Sequence, residues 1–300
     1  MSYMHMDNLY KNQDILLFTE CYAMEKIHGT SAHISYNNGE VKFFAGGGNY
    51  DTFVALFEID DLKRRFAEVI IGGETAIVYG ESYGGKQQGM SAVYGKEGKF
   101  VVFEVKIGDS WLNVPKAEQI ALGLGLEFVH YKRIPTNMSA IDAERDDFSV
   151  QAMRNGIGEH PREGIVLRPI EEVTKNNGSR IIAKHKTDAF SETKTPREVS
   201  PEKLRVIEEA RTIADEWVTP MRLEHIISDN NLDLSMENIG KVIPLMIDDI
   251  IREAKGEIVD SPDARKEIGR QTALMIKRTI EGRLLTPTQK GGEWWNFMQN

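Results

Sequence analysis

The chain has 300 residues, of which 41% are hydrophobic and 28% charged, with one cysteine and a net charge of −9. This composition suits a soluble globular protein with a sizeable core, and it excludes a fold that depends on disulfides or structural zinc. No apolar run approaches the ~20 residues that span a bilayer, and no signal peptide pattern opens the chain, so we expect a cytoplasmic protein. The acidic total weighs against an extended, non-specific contact with duplex nucleic acid, although basic residues can still line one groove.

Short strand patterns broken by glycine turns fill the chain from about residue 14 to about residue 190. The predicted strands are rich in Val, Ile, Phe and Tyr: Ser31–Tyr36, Val41–Ala45, Ala76–Tyr79, Phe100–Ile107, Gly164–Pro169 and Arg180–His185. Asn38-Gly39 lies between two of them and predicts a hairpin. Helical patterns interrupt the strands at Asp51–Val69 and Lys116–Leu124. The mixture predicts an α+β fold with antiparallel sheets.

The pattern changes to helices after residue 194. Ser200-Pro201, Thr219-Pro220 and Ser261-Pro262 each pair a helix-capping residue with a proline suited to the first helical position. The intervening segments carry apolar residues at three- and four-residue spacing. We therefore predict two domains, residues 1–194 and a smaller all-α domain of residues 195–300. The alternative is that these helices complete a single domain.

The segment Glu25-Lys26-Ile27-His28-Gly29-Thr30 places a lysine in a turn between two strand-like runs. Partial burial and nearby cations can make a lysine amine nucleophilic at neutral pH. A lysine in such a turn is usually only a solvated loop residue. Its functional interpretation therefore depends on the polar residues found elsewhere in the chain.

Five later residues supply the other groups that nucleotide transfer requires. Glu81 follows a buried strand and can accept from a ribose hydroxyl, and Phe103 lies inside a strand where it can stack on a base. Glu163 opens an apolar strand, a suitable position for a metal ligand. Lys184 and Lys186 share one face of a strand and can hold phosphates. Taken alone, each residue has an ordinary explanation. Phe103 is a core aromatic, Glu81 and Glu163 are surface acids at strand ends, and Lys184 and Lys186 form a solvated strand edge.

In this order, the segments resemble motifs I, III, IIIa, IV and V of the covalent nucleotidyltransferases, which comprise polynucleotide ligases and capping enzymes. The Lys-Ile-His-Gly-Thr form, with His28 in place of the usual aspartate, is similar to the second phage RNA ligase family and its RNA-editing relatives. The resemblance covers roughly residues 15–190. A helical C-terminal domain also suits that family.

The resemblance implies an ATP-dependent RNA ligase that joins 5′-phosphate and 3′-hydroxyl ends. Lys26 would attack ATP and carry AMP, which then passes to the 5′ end before the 3′-hydroxyl seals the junction. The implied catalytic residues are Lys26, His28, Lys184 and Lys186. The implied ATP-binding residues are Glu25, Lys26, Ile27, Glu81, Phe103, Glu163, Lys184 and Lys186. Glu163 and Glu104 are the implied ligands of Mg²⁺, with Mn²⁺ as an alternative ion.

The sequence departs from the family pattern at several positions. The segment from Lys42 to Gly48 lacks the arginine that relatives carry after motif I, and either Lys42 or the backbone of the triple glycine is a candidate substitute. Ser31 stands where many relatives have asparagine, and Glu104 stands where aspartate is more usual. These departures affect the expected nucleic-acid contacts more than the adenylylation chemistry.

Two other functions remain open from the sequence. The chain is alternatively a ligase of DNA or RNA/DNA-hybrid nicks, or a relative that binds nucleotide or RNA without ligating. We expect RNA or RNA-containing duplex ends as the binding partner, no membrane contact and a monomer. The expected location is the cytoplasm, which includes that of a phage-infected cell.

Overall fold

The computed structural model describes residues 3–70, 73–175, 178–190 and 198–285, with side chains as far as residue 280. The chain divides into two compact units, Met1–Val199 and Ser200–Asn300. The predicted domain boundary after residue 194 falls in residues 191–197, which lie outside the described residues, so the two-domain assignment remains a proposal.

The first unit is built from two sheets with short helices. Its strands are β1 (Glu20–Glu25), β2 (Thr30–Asn37), β3 (Glu40–Phe44), β4 (Ala76–Gly84), β5 (Gly98–Ile107), β6 (Ser110–Trp111), β7 (Glu127–Phe128), β8 (Tyr131–Pro135), β9 (Gly164–Pro169) and β10 (Ala183–Lys186). Its α-helices are α1 (Tyr50–Val54), α2 (Ile59–Val69), α3 (Ser91–Tyr94), α4 (Val114–Gly123), α5 (Met138–Arg145) and α6 (Val150–Arg154). Short 3-10 helices cover Asp14–Leu17, Gln87–Gly89 and Asp188–Phe190.

The two sheets differ in strand order. One sheet has the order β10-β9-β1-β8, and the other has the order β3-β2-β4-β5-β6 with β7 added against β5. The described pairings between these strands are antiparallel except for that of β5 with β7. The predicted α+β class with antiparallel sheets is therefore confirmed. The hairpin at Asn38-Gly39 is also confirmed, because both residues have positive φ, 49° and 81°, as a tight primed turn requires.

Two predicted elements differ from the structure. The helical pattern at Asp51–Val69 is divided into α1 and α2, and the interruption lets Phe53 and Phe57 pack against Phe100 at ring distances of 5.3 and 5.6 Å. The last predicted strand begins at Ala183, three residues later than expected. Arg180 instead forms an isolated bridge with Thr174.

The core of the first unit also buries the single cysteine. Cys21 lies on β1, is fully buried, and has no disulfide partner. Burial and the nearby Glu20 carboxylate raise the pKa of this thiol to about 12. The thiol is therefore an unreactive core group at neutral pH.

The second unit contains α7 (Pro201–Trp217), α8 (Pro220–Asp229), α9 (Ile239–Glu253) and α10 (Pro262–Leu285), with a 3-10 helix at Met236–Asn238. Ser200, Thr219 and Ser261 cap these helices as expected, each accepting from a backbone N–H three residues later. The helix α10 packs against α7 and α9. Within the part of the chain that the structure describes, no helix combines the length and apolar character needed to cross a bilayer.

Candidate active site

A cavity of about 460 Å³ lies in the first unit and receives residues from both sheets. The predicted residues that line it are Glu25, Lys26, Ile27, Glu81, Phe103, Glu104, Lys184 and Lys186. Lys26 follows directly after β1, and its backbone N–H donates to the carbonyl of Gly164 on β9 over 3.0 Å. The central position of β1 in its sheet therefore holds the lysine against β9.

The Glu163 carboxylate contacts two lysines that line the cavity and also the His28 ring, although neither Glu163 nor His28 lines the cavity itself. Its Oε2 lies 3.0 Å from Lys26 Nζ and 3.1 Å from His28 Nδ1, and its Oε1 lies 3.1 Å from Lys186 Nζ. Glu163 is only 1% exposed, so these contacts form where water screens charge poorly. The structure thus brings together residues that the sequence separates by as much as 160 positions.

Glu81 approaches the same group from the other sheet. Its Oε1 accepts from the backbone N–H of Gly29 over 3.1 Å. Burial raises the pKa of Glu81 to about 7; the Lys26 ammonium opposes this rise and the Glu163 carboxylate adds to it. When ionised, this carboxylate can only accept hydrogen bonds, which suits a hydroxyl donor.

Phe103 and Glu104 both face the cavity although they are successive residues of one strand. Tyr79 pairs with Glu104 and Gly80 pairs with Val102, which leaves Phe103 as the extra residue of a β-bulge between β4 and β5. Bulges of this kind redirect side chains that would otherwise alternate between the two faces. The bulge therefore places an aromatic ring and a carboxylate on the same wall.

Lys184 and Lys186 both line the cavity from β10, as their two-residue spacing predicts. The N-terminal segment holds this strand from its other side. The backbone N–H of Lys184 donates to Asp7 and its carbonyl accepts from Leu9, both over 2.9 Å. These main-chain hydrogen bonds fix the position of Lys184 on the edge strand of the sheet.

The contacts of Glu104 do not fit the metal ligand predicted from sequence. Arg180 donates to both carboxylate oxygens over 2.8 and 2.5 Å, Arg168 Nη1 lies 3.0 Å away, and the Tyr3 hydroxyl donates over 2.5 Å. Burial alone would raise the pKa of Glu104, but the two guanidinium groups lower it below its ordinary value. The carboxylate is neutralised within the cavity wall, and we propose a structural role for Glu104 in place of the predicted metal binding.

Glu25 and His28, two other predicted site residues, make contacts that the sequence does not show. The carboxylate of Glu25 accepts from Ser149 Oγ over 2.5 Å and from the Gln151 backbone N–H over 3.2 Å, and burial raises its pKa. Glu25 therefore lines the cavity with its other atoms. His28 reaches Glu163 and also contacts the ring of Phe190, with 5.4 Å between ring centroids.

The glycine-rich segment after β3 lies against Ser31. A Cβ on Gly46 would stand 2.2 Å from the carbonyl oxygen of Ser31, which itself lines the cavity. Gly46 also has φ of +59°, so only glycine suits this position. Lys42, the other candidate for the missing arginine, is exposed on β3 opposite Ser35.

Several residues of the site were not predicted. Tyr3 packs edge-on against Phe103, with 5.0 Å between ring centroids, and it lines the cavity with Arg168. Arg168 is 1% exposed, and its Nη1 has no well-aligned hydrogen-bond acceptor among the described residues. The sequence offered no signal for Tyr3, because its partners are about a hundred residues away.

The site has few side chains that suit a divalent metal. Among the described residues, no group of three or more His, Cys, Asp or Glu side chains is arranged to hold a metal ion. Mg²⁺ commonly binds through one or two carboxylates together with substrate phosphates and water. Glu163, which already contacts Lys26, His28 and Lys186, therefore fits a Mg²⁺ ion that arrives with a nucleotide.

One family model matches more than half of the chain. The family model described as RNA ligase matches residues 19–186. No curated protein has significant sequence similarity to the chain. Solved structures with similarity include Naegleria gruberi RNA ligase as a lysine-to-alanine mutant with ATP and Mn (13% identity, 63% of this chain and 56% of that chain, TM-score 0.49). The same ligase with PPi has 15% identity, covers 63% and 57%, and has a TM-score of 0.45. The chain thus spans little more than half the length of these ligases.

Proposed function

The chain belongs to the RNA ligase family, and from this membership we propose that it seals RNA ends with ATP through AMP bound covalently to Lys26. One observation carries the proposal. The Lys26 amine lies 3.0 Å from the buried Glu163 carboxylate, in a cavity that Glu81, Phe103, Lys184 and Lys186 also line. A nucleophile, an aromatic ring that can stack on the nucleobase, a hydroxyl acceptor and phosphate-binding cations therefore converge at one place.

In the first proposed step, Lys26 Nζ attacks the α-phosphorus of ATP. A nitrogen–phosphorus bond forms, the bond from the α-phosphorus to the bridging oxygen breaks, and pyrophosphate leaves. The amine must give up a proton, and the Glu163 carboxylate lies within hydrogen-bond distance of it. Holding the amine in place also removes much of the entropic cost of the reaction.

The remaining residues stabilise charge and orient the nucleotide. Lys184 and Lys186 face the phosphates and balance the negative charge that develops during transfer. Phe103 stacks on adenine, and Glu81 accepts from a ribose hydroxyl. When bound, Mg²⁺ neutralises phosphate charge, and Glu163 would hold it.

The second and third steps concern RNA. AMP passes from Lys26 to the 5′-phosphate of one end, so a pyrophosphate linkage replaces the nitrogen–phosphorus bond. The 3′-hydroxyl of the other end then attacks the 5′-phosphorus, forms the phosphodiester and expels AMP. Family membership supports RNA as the substrate.

The proposal is tested with ATP labelled at the α-phosphate. The purified protein is incubated with labelled ATP and Mg²⁺, and covalent label is followed after denaturation. Wild type and Lys63→Ala, which removes a partly exposed lysine paired with Glu40, should both become labelled, whereas Lys26→Ala should not. Failure of correctly folded wild type to become labelled would refute the lysyl-AMP proposal.

Substrate class is then determined with nicked duplexes that carry 5′-phosphate and 3′-hydroxyl ends. All-RNA, all-DNA and hybrid nicks are compared at equal concentration. We expect the sealed product to form fastest with the all-RNA nick. A preference for all-DNA nicks would contradict RNA as the substrate, and labelling without any sealing would indicate a relative that has lost ligation.

A further inference from the structure

Arg162 is a fully buried arginine directly before Glu163. Its guanidinium points into the protein, where Nη1 donates to the Glu144 carbonyl over 3.0 Å and to the Glu144 carboxylate over 2.7 Å. Nε and Nη2 both donate to the Phe148 carbonyl, over 3.2 and 2.8 Å. Every nitrogen of the guanidinium is therefore used within the fold.

These partners are themselves fixed. Glu144 lies on α5, and its carboxylate also contacts Lys132 of β8 at 2.9 Å. Phe148 precedes α6, and the backbone N–H of Ser149 donates to the His160 carbonyl over 2.7 Å. The arginine thus ties the start of β9 to α5 and to the segment that leads into α6.

The main chain that Arg162 anchors also holds both lysine-bearing segments. The Glu163 carbonyl accepts from the Thr187 N–H and the Gly164 carbonyl accepts from the Lys26 N–H, both over 3.0 Å. A Cβ on Gly164 would lie 2.2 Å from the His185 carbonyl oxygen and 2.7 Å from Lys186 Cα. Any shift of residues 162–164 would therefore move Lys26 and Lys186 relative to the Glu163 carboxylate.

We propose that Arg162 is a positioning residue for lysine adenylylation, which fixes Glu163 at the distance needed from the Lys26 amine and from Lys186. This inference rests on the proposed function. Arg162 touches no reacting group and acts entirely through the backbone of Glu163 and Gly164. Neither the motif order nor the strand pattern singles it out.

Arginine is suited to this position because its planar fork reaches two carbonyl oxygens and a carboxylate at once. Lysine can donate from a single nitrogen and would satisfy part of that set. Methionine fills a similar volume but leaves buried carbonyl oxygens without a donor, so the anchored segment would lose its fixed geometry.

The experiment compares Arg162→Met and Arg162→Lys with Arg270→Met. Arg270 is a matched control: it is a buried arginine whose Nε donates to Glu267 over 2.7 Å, and it lies outside residues 19–186. Unfolding temperature is measured for each variant. The rate of label transfer to Lys26 and the KM for ATP are measured at a temperature where each variant is folded.

A second measurement requires neither metal nor ATP. The metal-free proteins are acetylated briefly with an amine-selective reagent, and mass spectrometry gives the modification rate of Lys26 relative to Lys63. In wild type the Glu163 ion pair shields the Lys26 amine. In Arg162→Met we expect the acetylation rate of Lys26 to change at least twofold and that of Lys63 to stay constant.

We expect label transfer to Lys26 to be about tenfold to a hundredfold slower in Arg162→Met than in wild type, with a smaller change in the KM for ATP. The labelling rate of Arg162→Lys should be intermediate. Arg270→Met should label at the wild-type rate per folded molecule. If folded Arg162→Met matches Arg270→Met in labelling and in Lys26 acetylation, Arg162 is only structural and the inference is wrong. If Arg162→Met does not fold, the same comparison with Arg162→Lys decides. Unlabelled wild type would instead refute the proposed function.

Discussion

Lys26 and Glu163 form an ion pair, with 3.0 Å between Nζ and Oε2, although 137 positions separate them in the chain. The same carboxylate contacts His28 and Lys186. Because Glu163 is buried, its charge strongly affects the cations around it. The arrangement of the site therefore depends on this one carboxylate.

Glu163→Gln should slow lysine adenylylation by about 10²-fold, because the amide keeps the shape but does not balance the adjacent positive charges. The rate of label transfer from α-labelled ATP measures the effect. Glu40→Gln is the control, since Glu40 pairs with Lys63 on the exposed surface. Equal labelling rates for Glu163→Gln and wild type would show that this charge is dispensable.

Glu81 should make stability depend on pH. Burial raises the pKa of Glu81 from its ordinary value of 4.5 to about 7, so the folded state binds the proton more tightly than the unfolded state. Its contribution to stability is present below about pH 4.5 and is lost as pH rises through about 7, a change of about 3 kcal/mol. Urea unfolding at pH 5 and pH 8 measures this contribution.

Glu81→Gln serves as the reference for that measurement, since the amide does not titrate. The free energy of unfolding of wild type relative to Glu81→Gln should be lower at pH 8 than at pH 5. Both proteins share every other titrating group, so their difference isolates Glu81. A difference that stays constant between the two pH values would contradict the raised pKa.

Gly164→Ala should destabilise the protein by about 1–3 kcal/mol and slow labelling of Lys26. The added Cβ would meet the His185 carbonyl oxygen and the backbone of Lys186, so β10 must move away from β9. Thermal unfolding and labelling measure both effects. Gly240→Ala is the control, because a Cβ at this helical position has open space and should leave stability equal or raised.

Glu104→Gln should cost about 3–5 kcal/mol of stability, because it leaves Arg168 and Arg180 buried without a full counter-charge. Urea unfolding measures the loss. The Mg²⁺ concentration that half-saturates labelling should stay unchanged at a temperature where the variant is folded. A shifted Mg²⁺ requirement with unaltered stability would instead restore Glu104 as a metal ligand.

Local features of the fold were predictable from the sequence. The strands at Ser31–Tyr36 and Gly164–Pro169, the Asn38-Gly39 hairpin and the helix start at Ser200-Pro201 depend on residues close in the chain. Turn geometry and helix capping are set by such neighbours. The ordered motifs, by resemblance, also identified eight of the eighteen residues that line the cavity.

Long-range features were not predictable. The resemblance implied that Glu104 binds metal. A local sequence pattern could not show that its partner is Arg180, which lies 76 positions away. The bulge that turns Phe103 and Glu104 to one wall depends on pairing with β4. Arg162 likewise acquires its importance from Glu144 and Phe148, which meet it only in the folded chain.

The buried Cys21 has a practical consequence for studying the reaction in solution. Since it is the chain's single cysteine and its thiol pKa is raised to about 12, it should resist maleimide reagents while the protein stays folded. A cysteine introduced at the exposed Lys42 would then be the one reactive thiol. A fluorophore attached there would test in real time whether RNA approaches the Gly46 segment, without removing any native cysteine.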